Sequence, residues 1–174
     1  MSMVQLMKKG FLKYIISQNV DGLHRKSGIP YENIAELHGN TNLEVCSKCQ
    51  TGYMRDFRVR NAQTCKAHKT GRKCDNSKCK GDLEDTIINF GENLNDLILN
   101  LGYAHGYEAD LMLCLGSSMR VQPAAGMAEA TATKPLNPGK IVIVNLQKTP
   151  LDSHAYMNIH CKIDEFFVIL MQKM

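Results

Sequence analysis

Leu111-Met-Leu-Cys-Leu-Gly-Ser-Ser118 is the stretch that decides the fold. Its five apolar residues run continuously instead of alternating, as in a strand covered on both faces, and Gly116 stops the run abruptly. Ile141-Val-Ile-Val-Asn145 repeats the form, an apolar run ending in a polar side chain. Between the two, residues 124–132 are good helix formers, followed by the loop Pro135-Leu-Asn-Pro-Gly139. Strand, helix and strand in this order predict parallel strands joined by a crossover, so the fold class is α/β with an open sheet. Beyond it, Asp164 is placed to cap a last helix over residues 165–173, with Phe167, Leu170 and Met171 on one face. Toward the N-terminus, Val4-Gln-Leu-Met-Lys-Lys-Gly-Phe-Leu12 reads as a short amphipathic helix with Leu6, Met7, Phe11 and Leu12 apolar. Tyr14-Ile-Ile16 is a β-prone run that stops at Ser17-Gln-Asn-Val-Asp-Gly22, and residues 33–37 read as a weak helical or turn segment running into His38-Gly39.

The chain has 174 residues, room for one ordinary domain plus a small inserted module. With 44% hydrophobic residues a packed core is expected rather than disorder. A net charge of +4, from 21 basic and 17 acidic residues, is too mild to be a nucleic-acid signature by itself. The seven cysteines are an odd number, so one is left over in any disulfide scheme. The first residues lack the pattern of a signal peptide, and no apolar run approaches the roughly 18 residues that span a membrane. The expectation is a reducing compartment, where cysteines serve metal or catalysis.

Between Cys46 and Gly81 the character changes: the stretch is rich in Lys, Arg, Gly, Asn and Cys and almost lacks aliphatic residues. It cannot build a hydrophobic core, so it is either a loop or a metal-held module. Cys46-Ser-Lys-Cys49 and Cys74-x₄-Cys79 are two pairs with ligand-like spacing, each short enough to aim two thiolates at one ion. Cys65 and His68 compete for the third position; Cys74 fits better because it completes a short pair with Cys79. Four protein ligands leave no position for water, so the predicted zinc is structural. The 24 residues between the pairs are expected to form a long exposed loop. Lys48, Lys66, Lys69, Arg72, Lys73, Lys78 and Lys80 are expected to offset the charge of the centre. Cys114, inside an apolar run, reads as a small core residue, and Cys161 is left open.

Gly116-Ser-Ser118 after one strand and Asn145 after the next put polar groups at one sheet edge, where open α/β sheets bind ligands. Each alone is ordinary turn chemistry; together they favour a binding crevice. Asn19, Asp21 and His24 lie close in sequence, and an imidazole can act as a general base, but any single histidine is first a structural residue. His105, His154 and His160 keep that reading.

In order, Ser17-Gln-Asn-Val-Asp-Gly-Leu-His24, Glu36-Leu-His-Gly39, the two cysteine pairs, Phe90-Gly-Glu92, Gly116-Ser-Ser118 with Val121 and Pro123, and Val142-Ile-Val-Asn145 resemble the sirtuins, NAD-dependent protein-lysine deacylases. The likeness runs over essentially the whole chain. Leu43-Glu-Val-Cys46, Thr70-Gly-Arg-Lys-Cys74, Asp85-Thr-Ile-Ile88 and Val144-Asn-Leu-Gln147 are most similar to the class IV branch that holds sirtuins six and seven, which is nuclear and chromatin-associated. The resemblance implies a Rossmann-like parallel sheet with an inserted zinc-ribbon module, residues 1–42 and 82–174 forming the NAD-binding domain and residues 43–81 the zinc-binding module. It implies His38 as catalytic base, with Gln18, Asn19 and Asp21 around nicotinamide and ribose. Gly116, Ser117 and Ser118 match the segment holding cofactor ribose and phosphate, and Asn145, Gln147, Cys161 and Ile163 match positions about the adenosine half. Phe90, Gly91, Glu92 and Val121 match two loops that take an acyl-lysine peptide between them as an added strand. It also selects Cys74 over Cys65, giving Cys46, Cys49, Cys74 and Cys79 as ligands of one zinc ion.

The resemblance further implies deacylation of histone-like substrates with the acyl group passing to ADP-ribose, association with chromatin, nuclear location and no membrane attachment. Mono-ADP-ribosyl transfer from the same site, or a non-catalytic zinc-bearing interaction module, are the competing readings. The family's Gly-Ala-Gly turn and Asp-Phe-Arg loop have no counterpart here, and no Gly-x-Gly occurs anywhere in the sequence. The expectation is therefore a sheet incomplete at its N-terminal side, with apolar strand edges exposed and NAD binding weakened.

Overall fold

Ile15-Ile-Ser17 and Ile34-Ala-Glu36 pair in parallel with Ile15 opposite Ile34, and both strands are almost wholly buried. They belong to a chain whose computed structural model describes residues 1–61 and 66–174. The elements in chain order are α1 (Ser2–Lys8), β1 (Ile15–Ser17), α2 (Leu23–Lys26), β2 (Ile34–Glu36), β3 (Leu43–Cys46), β4 (Gly52–Met54), β5 (Lys69–Lys73), β6 (Asp82–Asp85), α3 (Asp96–Glu108), β7 (Leu111–Leu115), α4 (Ala124–Thr133), β8 (Lys140–Val144), β9 (Met157–Ile159) and α5 (Ile163–Gln172). They fall into two compact units, one of Met1–Tyr14 with Leu99–Met174 and the other of Ile15–Ile98.

In the first unit β7, β8 and β9 form a parallel sheet in that order, with Leu111 opposite Lys140 and Val142 opposite Met157. The two apolar runs are thus parallel strands joined through α4, as expected. Cys114, Met119, Ala128, Ile141, Ile143 and Leu151 form the core. Burial pushes the Cys114 thiol up to about 12, which fits an inert packing residue. β7 is an edge strand of this sheet, as is β9, and its Leu111 is exposed, so β7 is less covered than its sequence suggests. Thr131 is fully buried, its hydroxyl donating to the Gly106 carbonyl at 2.6 Å, which ties α4 to α3 within the unit.

Two boundaries differ from expectation. The last helix starts at Ile163 with Lys162 at its N-cap, so Asp164 is not a cap; Asp164 and Glu165 lie in the first turn, where carboxylates favour the positive end of the helix dipole. Phe167 is buried while Val168 and Ile169 are exposed, the face expected. The first helix ends at Lys8, and Gly10 (φ +79°) with Phe11 N–H donating to the Leu6 carbonyl closes it, leaving Phe11 exposed and Val4 and Leu6 buried.

In the second unit residues 34–36 are a strand, not a helix or turn; a single 3-10 turn at Tyr31–Asn33 precedes it. Ala and Glu favour helix locally, but pairing with β1 and complete burial of Ala35 override that preference. The remaining strands form an antiparallel sheet in the order β4-β3-β6-β5. The segment between the cysteine pairs, expected as a long exposed loop, supplies β4 and β5, and its Val59 is fully buried. These strands are polar and exist because of their partners. Glu44, fully buried on β3, accepts from Arg55 Nε at 2.8 Å and Arg72 Nε at 2.8 Å, and Arg72 also donates to the Val59 carbonyl at 2.7 Å. Burial alone would raise the Glu44 carboxyl; the Arg72 and Arg55 bonds outweigh it and hold it below the usual range. A lowered value means stability present above about pH 4.5 and lost as pH falls through it. Glu44→Gln is expected to cost about 3 kcal/mol, the low end for breaking a buried pair, because both arginines keep some water. Urea denaturation measures it, and the variant's stability should depend less on pH below 4.5.

Candidate active site and metal centre

The two strands of the β1–β2 pair run in the same direction, so the polar segments that follow them emerge at one edge. His38 lies two residues past β2, half-buried, with Nδ1 3.1 Å from the carbonyl oxygen of Gln18. A carbonyl only accepts, so this contact assigns the proton to Nδ1 and leaves Nε2 with the lone pair, the tautomer a general base needs. Asn19 and Asp21, in the segment that carries Gln18, are exposed. Asp21 Oδ1 accepts from the Leu23 amide at 2.9 Å and so opens α2.

Behind these residues lies a polar scaffold that the sequence reading missed. Arg25 Nε donates to Glu36 Oε2 at 2.6 Å, and fully buried Asn40 donates to Glu36 Oε1 at 2.7 Å. Gly22, in the left-handed region at φ +71°, lies so close that a Cβ there would stand 3.0 Å from Asn40 Oδ1. The link is spatial; the Glu36–Asn40 spacing alone was the available signal. Residues 86–88 run alongside His38: Ile88 N–H donates to the His38 carbonyl at 3.1 Å. At Gly39 (φ +80°) a Cβ would stand 1.8 Å from the Thr86 oxygen, a position only glycine can fill. Gly39→Ala should lower stability by at least about 2 kcal/mol, from left-handed strain plus a backbone clash, measurable as a shifted urea midpoint.

Of the expected peptide-loop residues, Phe90 is fully exposed and Gly91 has φ +82°. Glu92 turns back: Oε2 accepts from the Asn89 amide at 2.6 Å and from Asn89 Nδ2 at 2.8 Å, and Oε1 lies 2.9 Å from His68 Nε2. The Asn89 amide first, then His68, hold this carboxyl down at about 2.

In the other unit the ends of β7, β8 and β9 are tied together. Gly116 N–H donates to the Val144 carbonyl at 3.0 Å, Asn145 Nδ2 to the Ser117 carbonyl at 3.1 Å, and Asn145 N–H to the Ile159 carbonyl at 3.1 Å. His160 Nδ1 is 3.1 Å from the Asn145 carbonyl, a structural role as expected. His105 likewise stacks on Tyr14 with ring centroids 3.7 Å apart. Gly116 takes φ +61° and packs against Ile163, whose Cδ1 would lie 2.8 Å from an added Cβ. Gly116, Ser117, Ser118, Asn145, Cys161 and Ile163 therefore sit at one sheet edge. Gln147 and Val121 lie exposed in the loops after β8 and before α4.

Cys46, Cys49, Cys74 and Cys79 bring their sulfurs within 4.8 Å of one another. Cys46–Cys79 and Cys49–Cys74 are 3.6 Å apart, far beyond a disulfide and close to the roughly 3.8 Å edge of a tetrahedron with 2.3 Å metal–sulfur bonds. The donor set fits zinc. Tyr53 Oη lies 3.1 Å from Cys74 Sγ, and the Thr51 hydroxyl 3.2 Å from Cys49 Sγ, outer contacts that orient ligands and that the spacing did not reveal. The Thr51 side chain, then its backbone, hold the Cys49 thiol down at about 6. At Gly81 a Cβ would come within 2.6 Å of Cys46 Sγ, so glycine lets the chain close the cage. His68 is engaged by Asp85 and Glu92 and lies outside the cluster; Cys65 lies outside the described residues. Of the cations expected to offset the centre, Arg72 pairs with Glu44, and Lys69 and Lys73 pair with Asp82.

Parallel strands ending in polar loops, together with a cage of four cysteines in an antiparallel module, define an α/β protein with a metal-braced insertion. The Sir2 family model matches residues 1–123, and the chain belongs to the Sir2 family. It is 42% identical over 174 residues to the NAD-dependent protein deacetylase SRT1 of Arabidopsis thaliana, covering all of this chain and 36% of that protein. It is 38% identical over 180 residues to the NAD-dependent protein deacetylase sirtuin-7 of Homo sapiens, covering all of this chain and 44% of that one. The chain thus spans less than half the length of these relatives. A solved Sir2–p53 peptide–NAD+ structure superposes with a TM-score of 0.75 at 31% identity, over 99% of this chain and 68% of that one. No helix among the described residues is long and apolar enough to cross a membrane.

Proposed function

We propose that this protein is an NAD-dependent protein-lysine deacylase that transfers the acyl group to ADP-ribose. The observation that carries the reading is the His38–Gln18 contact, which leaves Nε2 as the basic nitrogen in a Sir2-family chain. The family's motif pattern assigns Gln18, Asn19 and Asp21 to the nicotinamide-ribose part of the dinucleotide, and Gly116, Ser117, Ser118, Asn145, Gln147, Cys161 and Ile163 to the remainder. When bound, NAD supplies the leaving-group chemistry, with nicotinamide departing. His38 Nε2 accepts a ribose hydroxyl proton, and its Nδ1–H bond to Gln18 keeps the ring oriented while it does so. Asn19 and Asp21 orient, and the family's motif pattern assigns Phe90, Gly91 and Val121 to the loops that receive an acyl-lysine peptide as an added strand.

Residues 43–81 act in this reading as the zinc-binding module, and residues 1–42 and 82–174 as the cofactor domain. Similarity to the class IV branch supports histone-like substrates, chromatin association and nuclear residence. Labelled NAD given to the protein at its full natural length with acyl-histone peptides tests the reading. Label in soluble acyl-ADP-ribose supports it; label fixed covalently on protein supports mono-ADP-ribosyl transfer instead, and no consumption of NAD leaves the zinc-bearing interaction module.

A further inference from the structure

His68 stands just before β5, in the metal-braced sheet, with a carboxylate at each ring nitrogen. Nδ1 is 3.2 Å from Asp85 Oδ1 and Nε2 is 2.9 Å from Glu92 Oε1. A neutral imidazole carries one N–H and would turn its lone pair on the second carboxylate; only the imidazolium donates to both. Asp85 ends β6 and is nearly inaccessible, its amide bonded to the His68 carbonyl at 2.8 Å and its Oδ1 accepting from the Ile87 amide at 3.0 Å. Glu92 closes the turn over residues 89–92 that presents Phe90 to solvent. Residues 86–88, between the two carboxylates, pass His38 and Gly39.

We propose that His68 is a positioning residue: its doubly protonated ring clamps the turn over residues 89–92 to the metal-braced sheet, and loss of the proton releases that turn. That the turn receives acyl-lysine peptide rests on the function proposed above; the clamp itself does not. Besides the two carboxylates, the charged group facing this cluster among the described residues is Arg60, whose Nη1 is 3.7 Å from Asp85 Oδ1 and competes with His68 for it. Among the described residues Glu92 has no such second cation within its contacts, and it holds His68 by the shorter bond, so the turn feels the proton most. Glu92 first, then Asp85, raise the His68 value above 6.5 against the opposing effect of burial. A raised folded value means the clamp is fully present below about pH 6.5 and is lost as pH rises further, through the raised value of the folded state.

Chymotrypsin cleavage after Phe90 reads the turn directly, because cleavage follows the open population. Rates on the zinc-loaded chain are divided by those on a free peptide of residues 87–95 at each pH. The normalised rate should rise severalfold between pH 6 and pH 9, with the midpoint of the His68 imidazole titration seen by NMR. His68→Ala should be cut about tenfold faster at pH 6, should lose the pH dependence and should retain zinc, the size expected for charged hydrogen bonds. His68→Gln, which donates one bond, should fall between and be flat with pH. A flat wild-type profile, or a His68→Ala variant that keeps the wild-type profile, overturns the clamp. If His68→Ala loses its zinc, the wild-type profile and His68→Gln decide alone. With acyl peptide, the same pH rise should increase KM with little change in kcat. Failure of that last result with the cleavage profile intact counts against the turn's peptide role rather than against the clamp.

Discussion

Cys46→Ser, or removal of zinc by a strong chelator, unfolds the β3–β6 sheet. The buried cluster there consists of Cys46, Cys74 and Leu83 with Tyr53 and Cys79 packed on it. Leu83 is its one aliphatic member among the described residues, so the metal replaces a hydrophobic core instead of adding to one. Structural zinc is worth about 10–16 kcal/mol in small zinc-held peptides, against about 5–15 kcal/mol for the whole stability of a domain. No packing in this region compensates a loss of that size. Amide exchange at Leu83 and Val45 should collapse to the unprotected rate, with zinc content falling to zero. Cys114→Ser and Cys65→Ser should both keep one zinc per chain. Loss of zinc from Cys65→Ser would reverse the choice of Cys74. The damage should also reach His38, because β6 continues into residues 86–88, which bond the His38 carbonyl and crowd Gly39.

On the proposed deacylase reading, His38→Ala is expected to lower the chemical step by about 10²–10⁴, the usual contribution of a positioned general base. Nδ1 is committed to the Gln18 carbonyl, so the substitution removes the basic Nε2 and little packing from a half-buried site. The thermal midpoint and zinc content should stay near wild type while kcat falls. That separation distinguishes His38 from Gly39, where substitution damages the fold itself. A His38→Ala enzyme with unchanged kcat would remove the residue from the mechanism.

How far the sequence carried can be judged residue by residue. β7 and β8 were legible because continuous apolar runs ending in Gly116 and Asn145 have few other uses. The cysteine ligands were legible because paired spacing is itself geometry. The strand Ile34-Ala-Glu36 was not, since two of its three residues favour helix and only β1 makes it a strand. β5, Lys69-Thr-Gly-Arg-Lys73, looks like a loop until Glu44 collects Arg72 and Asp82 collects its lysines. The same limit hid Arg25, Glu36 and Asn40, whose bonds join segments distant in sequence. His68 was weighed as a metal ligand because composition cannot show that two carboxylates already hold it. The Gln18–His38 contact depends on the parallel pairing of β1 and β2, which the motifs imply only through their resemblance to sirtuins.

The most direct measurement is NAD-dependent deacylation of lysine peptides, from acetyl to long-chain acyl, by the zinc-loaded protein at its full natural length. The predicted result is one nicotinamide released for each peptide deacylated, abolished by omitting NAD and reduced at least about a hundredfold by His38→Ala. No NAD-dependent deacylation of any of these peptides, with zinc bound and His38 intact, would contradict the account.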